Sequence, residues 1–399
     1  MGTRRLNNVT WLINGDEGGG VRSTILTTSA GLAKAGVSAT IVSLNDGPMC
    51  PICRQAGLAL TVLNVGDAPT FLGSIASKPM QLWRIARFIA KAAPTIRSTT
   101  AVQQADAVHI VMPNFLSLAT RSVDRSWQRV VWEMPNVIGS RYPFQLNRRL
   151  YQRSVRRNSV IVLANSAYTA ATLEMPGHAP IATVWQPPTD ASRFNPDVVQ
   201  PHPRASLGFR ADDIVFALAA RLVEEKGFLT AVEALRHVSG QLPTLKLLLI
   251  GGPIDSEFAQ RLRGRVAELA LQDRVHFTGE VADVERYYLA ADVVMNLRHD
   301  PEPLGLTVVE AMLMRRPMLV HALGGPAETV VDGLTGWHID RVTPATVAAG
   351  IERAMSDRGQ WPAMGEAGRA RALANYSTDV LIGRYIDIVS ERLPAAAHV

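Results

Sequence analysis

Between Val9 and Leu44 the chain lays down an apolar run, a glycine-rich turn, a helical stretch and a second apolar run, an order that leaves little freedom of fold. Val9-Thr10-Trp11-Leu12-Ile13-Asn14 is short and apolar and ends in turn residues, the pattern of a buried strand. Gly18-Gly19-Gly20 follows. Residues 23–35 carry helical periodicity, with Ile25, Leu26, Leu32 and Ala33 on the inner face and Gly36 as the stop. Ala39-Thr40-Ile41-Val42-Ser43-Leu44 reads as a second strand. Two strands joined through a helix run parallel, because the crossover returns the chain to the end from which it started. Parallel sheets are covered on both faces, so the chain belongs to the α/β class.

Similar runs recur over residues 107–111, 130–133 and 160–164, and Ser166 is placed to cap a helix over residues 166–173. Val184-Trp185-Gln186 leads into Pro187-Pro188, and residues 195–203 are rich in proline and polar side chains, which reads as a linker. The alternation then restarts. Strands are expected over residues 214–219, 245–250, 275–278, 293–296, 318–321 and 337–339, and a helix over 227–238. At 399 residues the chain is too long for one ordinary core. Two successive Rossmann-like domains follow, residues 1–198 and 199–379, with a last helical stretch in residues 380–399 able to pack back onto the first.

Composition narrows the function. With 47% hydrophobic and 19% charged residues, the make-up is that of a soluble globular protein. No apolar run reaches the ~18 residues of a membrane span. Met1-Gly2-Thr3-Arg4-Arg5-Leu6 has neither the apolar stretch of a signal peptide nor the Ser/Thr of a myristoylation site, so a cytoplasmic protein is expected. The net charge of +6 is uneven: residues 1–200 hold 20 Lys and Arg against 10 Asp and Glu, and residues 201–399 hold 21 against 25. A basic first half suits an anionic partner such as phosphate, phospholipid or nucleic acid, but no nucleic-acid module accompanies it. Cys50 and Cys53 lack two further zinc ligands nearby, and Gly47-Pro48 beside them reads as a surface loop.

The chemistry concentrates in the second half. Arg221 and Lys226 follow the strand over residues 214–219, and open α/β sheets bind ligands outside the carboxyl ends of their strands. Two cations there can neutralise a diphosphate; the alternative is a solvated charge cluster with Glu224 and Glu225. In Pro301-Glu302-Pro303-Leu304-Gly305-Leu306-Thr307-Val308-Val309-Glu310, the first carboxylate sits in a Pro/Gly turn and the second on the helix that follows. Carboxylates grip sugar hydroxyls well, and the free N–H groups of the helix start lie between the two. Gly324-Gly325 follows a further strand, where glycine lets backbone approach a ligand closely. Gly18-Gly19-Gly20 is either a loop able to lie against phosphate or sugar, or a simple tight turn.

Taken in order, Arg221-x4-Lys226, Glu302-x7-Glu310 and the Gly324-Gly325 turn make the sequence resemble the retaining glycosyltransferases of family 4, which have the GT-B fold. The match is strongest from Pro301 to Gly336 and looser in the first half, at Gly18-Gly19-Gly20 and Ala164-Asn165-Ser166. The resemblance implies two Rossmann-like domains facing each other across a deep cleft, the first for the acceptor and the second for a nucleotide-sugar donor. It implies that Arg221 and Lys226 bind the donor diphosphate and stabilise it as leaving group. Glu302 would contact the sugar hydroxyls and Glu310 the ribose. Backbone at Leu304, Gly305 and Leu306 would line sugar and phosphates, Gly251 and the Thr278-Gly279 turn would lie near the base, and Gly19 and Gly20 would also serve the donor. The implied reaction moves a hexose from a UDP- or GDP-sugar to a glycan or glycolipid, as in polysaccharide or glycoconjugate biosynthesis. It implies no metal and no cofactor, and no Asp-x-Asp motif argues otherwise.

The first half departs from the family pattern. Relatives commonly place a histidine after the strand matching residues 130–132, near the reacting sugar, whereas Trp132-Glu133-Met134-Pro135-Asn136 has none. Glu133 or Asn136 takes that place, with His109 as a further substitute, or the acceptor is handled differently. A sugar-nucleotide epimerase of the same fold would need acid/base groups by the sugar, which the missing histidine disfavours. A non-catalytic donor-binding subunit would bind donor and transfer nothing. The Gln186-Pro187-Pro188-Thr189-Asp190 turn is similar to that of some mannosyltransferases. From Phe144 to Arg157, Leu150, Tyr151 and Val155 stand among Arg148, Arg149, Arg153, Arg156 and Arg157. Such a basic amphipathic helix can lie on anionic lipid at the inner face of a membrane, or be a solvated face around a few core contacts.

Overall fold

A computed structural model describes residues 4–66, 79–139, 146–174 and 177–394. The first sheet contains β1 (Asn8–Ile13), β2 (Ser38–Ser43), β3 (Ala59–Val62), β4 (Ala107–Ile110), β5 (Arg129–Met134), β6 (Ile161–Ala164) and β7 (Ala182–Val184), in the order β3-β2-β1-β4-β5-β6-β7. The second contains β8 (Ile214–Ala219), β9 (Leu245–Ile250), β10 (Val275–Gly279), β11 (Val293–Asn296), β12 (Met318–His321) and β13 (Gly336–Ile339), in the order β10-β9-β8-β11-β12-β13. All their pairings are parallel. Every residue of β8, Ile-Val-Phe-Ala-Leu-Ala, is buried, as a strand covered on both faces requires. Both sheets are doubly wound. Their strand order reverses between β1 and β4 and between β8 and β11, and such switch points are where open α/β sheets take their ligands.

The chain divides into two compact units, Met1–Pro188 with Thr378–Val399, and Thr189–Ser377. Both boundaries lie upstream of the expected ones. The proline-rich stretch is part of the second unit because its side chains are tied there. Arg193 pairs with Glu285 at 2.8 Å, Asp197 pairs with Arg315 at 2.6 Å, and Arg369 donates to the Phe194 carbonyl at 3.3 Å. The helix Thr378–Ser390 belongs to the first unit, where the Trp185 indole donates to the Leu381 carbonyl at 2.8 Å. Thr189 and Ser377, the two ends of the second unit, form an isolated parallel bridge.

Two local expectations change. The first helix is Gly19–Lys34, so Gly19 and Gly20 open a helix and Gly18 is its N-cap. Cys50 and Cys53 lie fully buried on the helix Met49–Gln55, not in a surface loop. Pro48 stands just before the first turn, where a missing N–H costs the helix nothing. Burial, then the neighbouring Cys50 and Glu17, push the Cys53 thiol up to about 11, so it stays protonated and unreactive at neutral pH.

Candidate active site

In the second unit the carboxyl ends of β8, β11 and β12 carry the site. The turn Glu224–Lys226 follows β8 and sets Lys226 Nζ 2.7 Å from Glu302 Oε2. Beyond β11 a second cation joins them. Arg298 Nη1 lies 3.2 Å from Glu302 Oε1, while its Nε and Nη2 hold the Asp300 carboxylate at 2.6 and 2.7 Å. Lys226, Glu302, Arg298 and Asp300 thus form an alternating ladder of charge. The Lys226, Glu302 and Arg298 side chains are only 16%, 13% and 20% exposed, so solvent screens their contacts weakly. The hydrogen bonds from Arg298 hold Asp300 below the usual carboxylate range. The cluster with Glu224 and Glu225 does not form at Lys226, since Glu224 pairs with Arg261 at 2.9 Å. Arg221 is exposed just beyond β8.

Glycine builds the turn that presents Glu302. Gly324 has φ +85°, and a Cβ there would stand 2.2 Å from the Glu302 carbonyl oxygen. Gly325 N donates to that same oxygen at 2.8 Å. The close approach expected towards a ligand is therefore made to the backbone of Glu302. Gly251 has a comparable constraint, because with φ +138° its Cβ would fall 1.8 Å from the Ala220 carbonyl oxygen. His321 on β12 contacts the Arg298 carbonyl through Nδ1 at 2.7 Å and fixes the segment from the other side.

Glu310 lies on the helix Leu306–Leu313, whose N-cap is Gly305 in the left-handed conformation, and Leu304 and Gly305 are buried. The Tyr288 hydroxyl donates to Glu310 Oε2 at 2.9 Å. Burial raises Glu310 above the usual carboxylate range, while the Tyr288 hydrogen bond and the Arg193 charge act against it. Tyr288 itself is fully buried on the helix Val284–Ala290, and burial followed by the Glu310 charge keeps its phenol protonated. The two carboxylates are thus held by different partners. Sequence reading found neither Arg298 nor Tyr288. The position of Arg298 directly after a strand beside β8 was the available signal; Tyr288 had none.

In the first unit the three residues expected on the acceptor side do not share one surface. His109 on β4 and Glu133 on β5 do meet, with Nε2 3.3 Å from Oε2, but they are 0% and 1% exposed. The His109 ring stacks on Trp11 at 3.8 Å, and its Nδ1 lies 3.0 Å from the Tyr385 hydroxyl. Burial lowers the His109 pKa below 6.5, so the ring is neutral. The assignment that fits has Nε2–H facing Glu133 and Nδ1 accepting from Tyr385. Buried in the core, the pair presents nothing to an acceptor. Asn136 is exposed beyond β5. Gly19 and Gly20 are exposed at their helix start, and the Glu17 carboxylate takes the nearby N–H groups of Asn14 and Gly15 at 2.6 and 2.9 Å.

The helix Leu146–Asn158 packs Val155 inward and sets Tyr151 against Trp132, with ring centroids 5.4 Å apart. Arg148 and Arg156 donate to the Ala171 and Ala179 carbonyls, whereas Arg149, Leu150, Arg153 and Arg157 are exposed. Phe144 lies outside the described residues. Among the described residues, no helix is long and apolar enough to cross a membrane. No group of three or more His, Cys, Asp or Glu among them could hold a metal ion.

Two doubly wound parallel sheets in successive units define the GT-B class. The fold is shared with a glycosyltransferase from Rickettsia africae, at a TM-score of 0.81 and 20% identity over 98% of this chain and 100% of that one. It is also shared with HepE of Anabaena solved in complex with UDP, at a TM-score of 0.79 and 20% identity over 96% and 99%. Residues 199–371 match the family described as glycosyl transferases group 1. The GDP-mannose-dependent alpha-(1-6)-phosphatidylinositol monomannoside mannosyltransferase of Mycobacterium tuberculosis is 29% identical over 59% of this chain and 63% of its own length. The lipopolysaccharide core biosynthesis glycosyltransferase LpsE of Rhizobium meliloti is 29% identical over 47% and 53%. The matched stretches span less than two thirds of these curated relatives.

Proposed function

We propose that this chain is a retaining glycosyltransferase of family 4 that moves a hexose from a nucleotide diphosphate sugar to a glycan or lipid-linked acceptor. The observation that carries this reading is the Lys226–Glu302 pair at the switch point of the second sheet. Transfer leaves negative charge on the departing diphosphate and positive charge on the sugar. Lys226 and Arg221 stabilise the first, and Glu302 holds the hydroxyls of the second. Glu310, oriented by Tyr288, takes the ribose hydroxyls. Backbone at Leu304, Gly305 and Leu306 lines sugar and phosphates, and the ends of β9 and β10, at Gly251 and Thr278-Gly279, receive the base. With cations at the leaving group, no divalent metal is required.

The donor is a GDP- or UDP-sugar: a similar protein is GDP-mannose-dependent, and a solved neighbour holds UDP. A thermal-shift screen against UDP, GDP, ADP and their sugars tests the reading. A ligand at a hundred times its Kd stabilises by about 2.7 kcal/mol, so the right nucleotide stands out. Transfer is then expected to be undiminished in a chelator. Strict Mg²⁺ dependence, or no nucleotide bound, contradicts the proposal. Binding without transfer across an acceptor panel would mark a non-catalytic donor subunit.

A lipid-linked acceptor fits the basic helix of the first unit. Arg149, Arg153 and Arg157 around the exposed Leu150 suit an anionic bilayer surface, each basic residue adding ~1 kcal/mol. The wild-type protein is expected to co-sediment with vesicles containing anionic phospholipid, and the triple Arg→Glu variant at these positions is not. Equal sedimentation of the two would remove membrane contact from the proposal.

A further inference from the structure

We propose that Arg298 is a positioning residue for Glu302, holding one carboxylate oxygen so that the group keeps its place when Lys226 turns to the donor diphosphate. The inference rests on the donor-site reading above and assigns a residue outside the motifs that led to it.

Glu302 has both oxygens engaged, Oε2 by Lys226 at 2.7 Å and Oε1 by Arg298 at 3.2 Å. The two cations are not equivalent. Lys226 is a single charge on a flexible stem, free to exchange one anion for another. Arg298 has three nitrogens in use at once: Nε and Nη2 on Asp300, and Nη1 on Glu302. Its backbone is fixed as well, since the Arg298 carbonyl lies 2.7 Å from His321 Nδ1. When a diphosphate draws Lys226 away, a carboxylate with 13% of its side chain exposed would face a second anion without compensation. Arg298 supplies that compensation and leaves the freed Oε2 for a sugar hydroxyl. Asp300 keeps the fork in its plane. A lysine could not hold both carboxylates in this way, because it lacks the planar fork.

The test compares Kd values for GDP-mannose against GDP, and for UDP-glucose against UDP, by calorimetry. Glu302 touches the sugar and not the base, so Arg298→Ala should weaken the sugar nucleotide roughly tenfold more than the bare nucleotide, the loss of one charged hydrogen bond. In a Glu302→Gln background, Arg298→Ala should add no further discrimination, because residues acting through one another are not additive. Arg298→Lys keeps the charge and guards against a folding defect; it should melt like the wild type and still lose the discrimination. Equal weakening of both ligands by Arg298→Ala, full additivity with Glu302→Gln, or wild-type discrimination in Arg298→Lys would each overturn the role. Wild-type protein that binds none of the four ligands would overturn the donor-site reading itself, and this role with it.

Discussion

Lys226→Ala is expected to lose transfer by roughly a hundred- to a thousandfold, about 2.7–4 kcal/mol of transition-state stabilisation, as when one preorganised group facing developing charge is removed. Glu302→Ala should fall as far, by a different route. The first variant leaves the departing diphosphate without its ammonium. The second leaves the sugar without its carboxylate, and Lys226 and Arg298 without the anion between them. Neither side chain belongs to the apolar core of the second unit, so both variants should keep the fold. Steady-state transfer assays, with melting curves alongside, decide the matter. Full turnover in either variant, or a loss of activity that merely follows a loss of fold, would sink the assignment.

His109→Ala is expected to destabilise the first unit by about 2–5 kcal/mol, the usual cost of truncating a large core side chain to alanine. It strips Glu133 of its neighbour, takes the hydrogen-bond acceptor from Tyr385 and empties the space against Trp11. The wild type should also show a pH signature. Its folded pKa lies below the ordinary 6.5, so below pH 6.5 the unfolded chain binds a proton that the folded chain refuses. This contribution is complete above that pH and is lost as the pH falls, by at most ~1.4 kcal/mol per pH unit for one proton. His109→Gln should remove that slope. Urea unfolding at several pH values measures both effects, and a His109→Ala variant within about 1 kcal/mol of wild type would show the pair to be incidental.

The strands of both sheets were legible wherever they are fully buried, because a strand covered on both faces is an unbroken apolar run. Ala59–Val62 escaped reading because it alternates between exposed and half-buried positions, and Ala182–Val184 because it is three residues long. The helix start at Gly19 was hidden by its glycines, which favour loops. In the second unit Lys226 and Glu302 could be read as a site because each lies in the segment after a strand of one sheet. Arg298 follows β11 more closely still, but Arg298-His299-Asp300 matches no recurrent pattern. His109 and Glu133 looked like loose polar residues near strand ends. Their true environment depends on Tyr385, 276 positions further along the chain than His109, and no local pattern reports a contact of that span.

The bridge between Thr189 and Ser377 closes the second unit on itself, in the middle of the first. On the ribosome this fixes an order of events. The second unit has all its residues once Ser377 has been added to the chain. The first unit began earlier but is still short of Tyr385, Leu381 and the rest of the helix Thr378–Ser390 that covers His109 and Trp185. The half begun first is therefore the half completed last, since its sheet waits for the helix that follows the second unit.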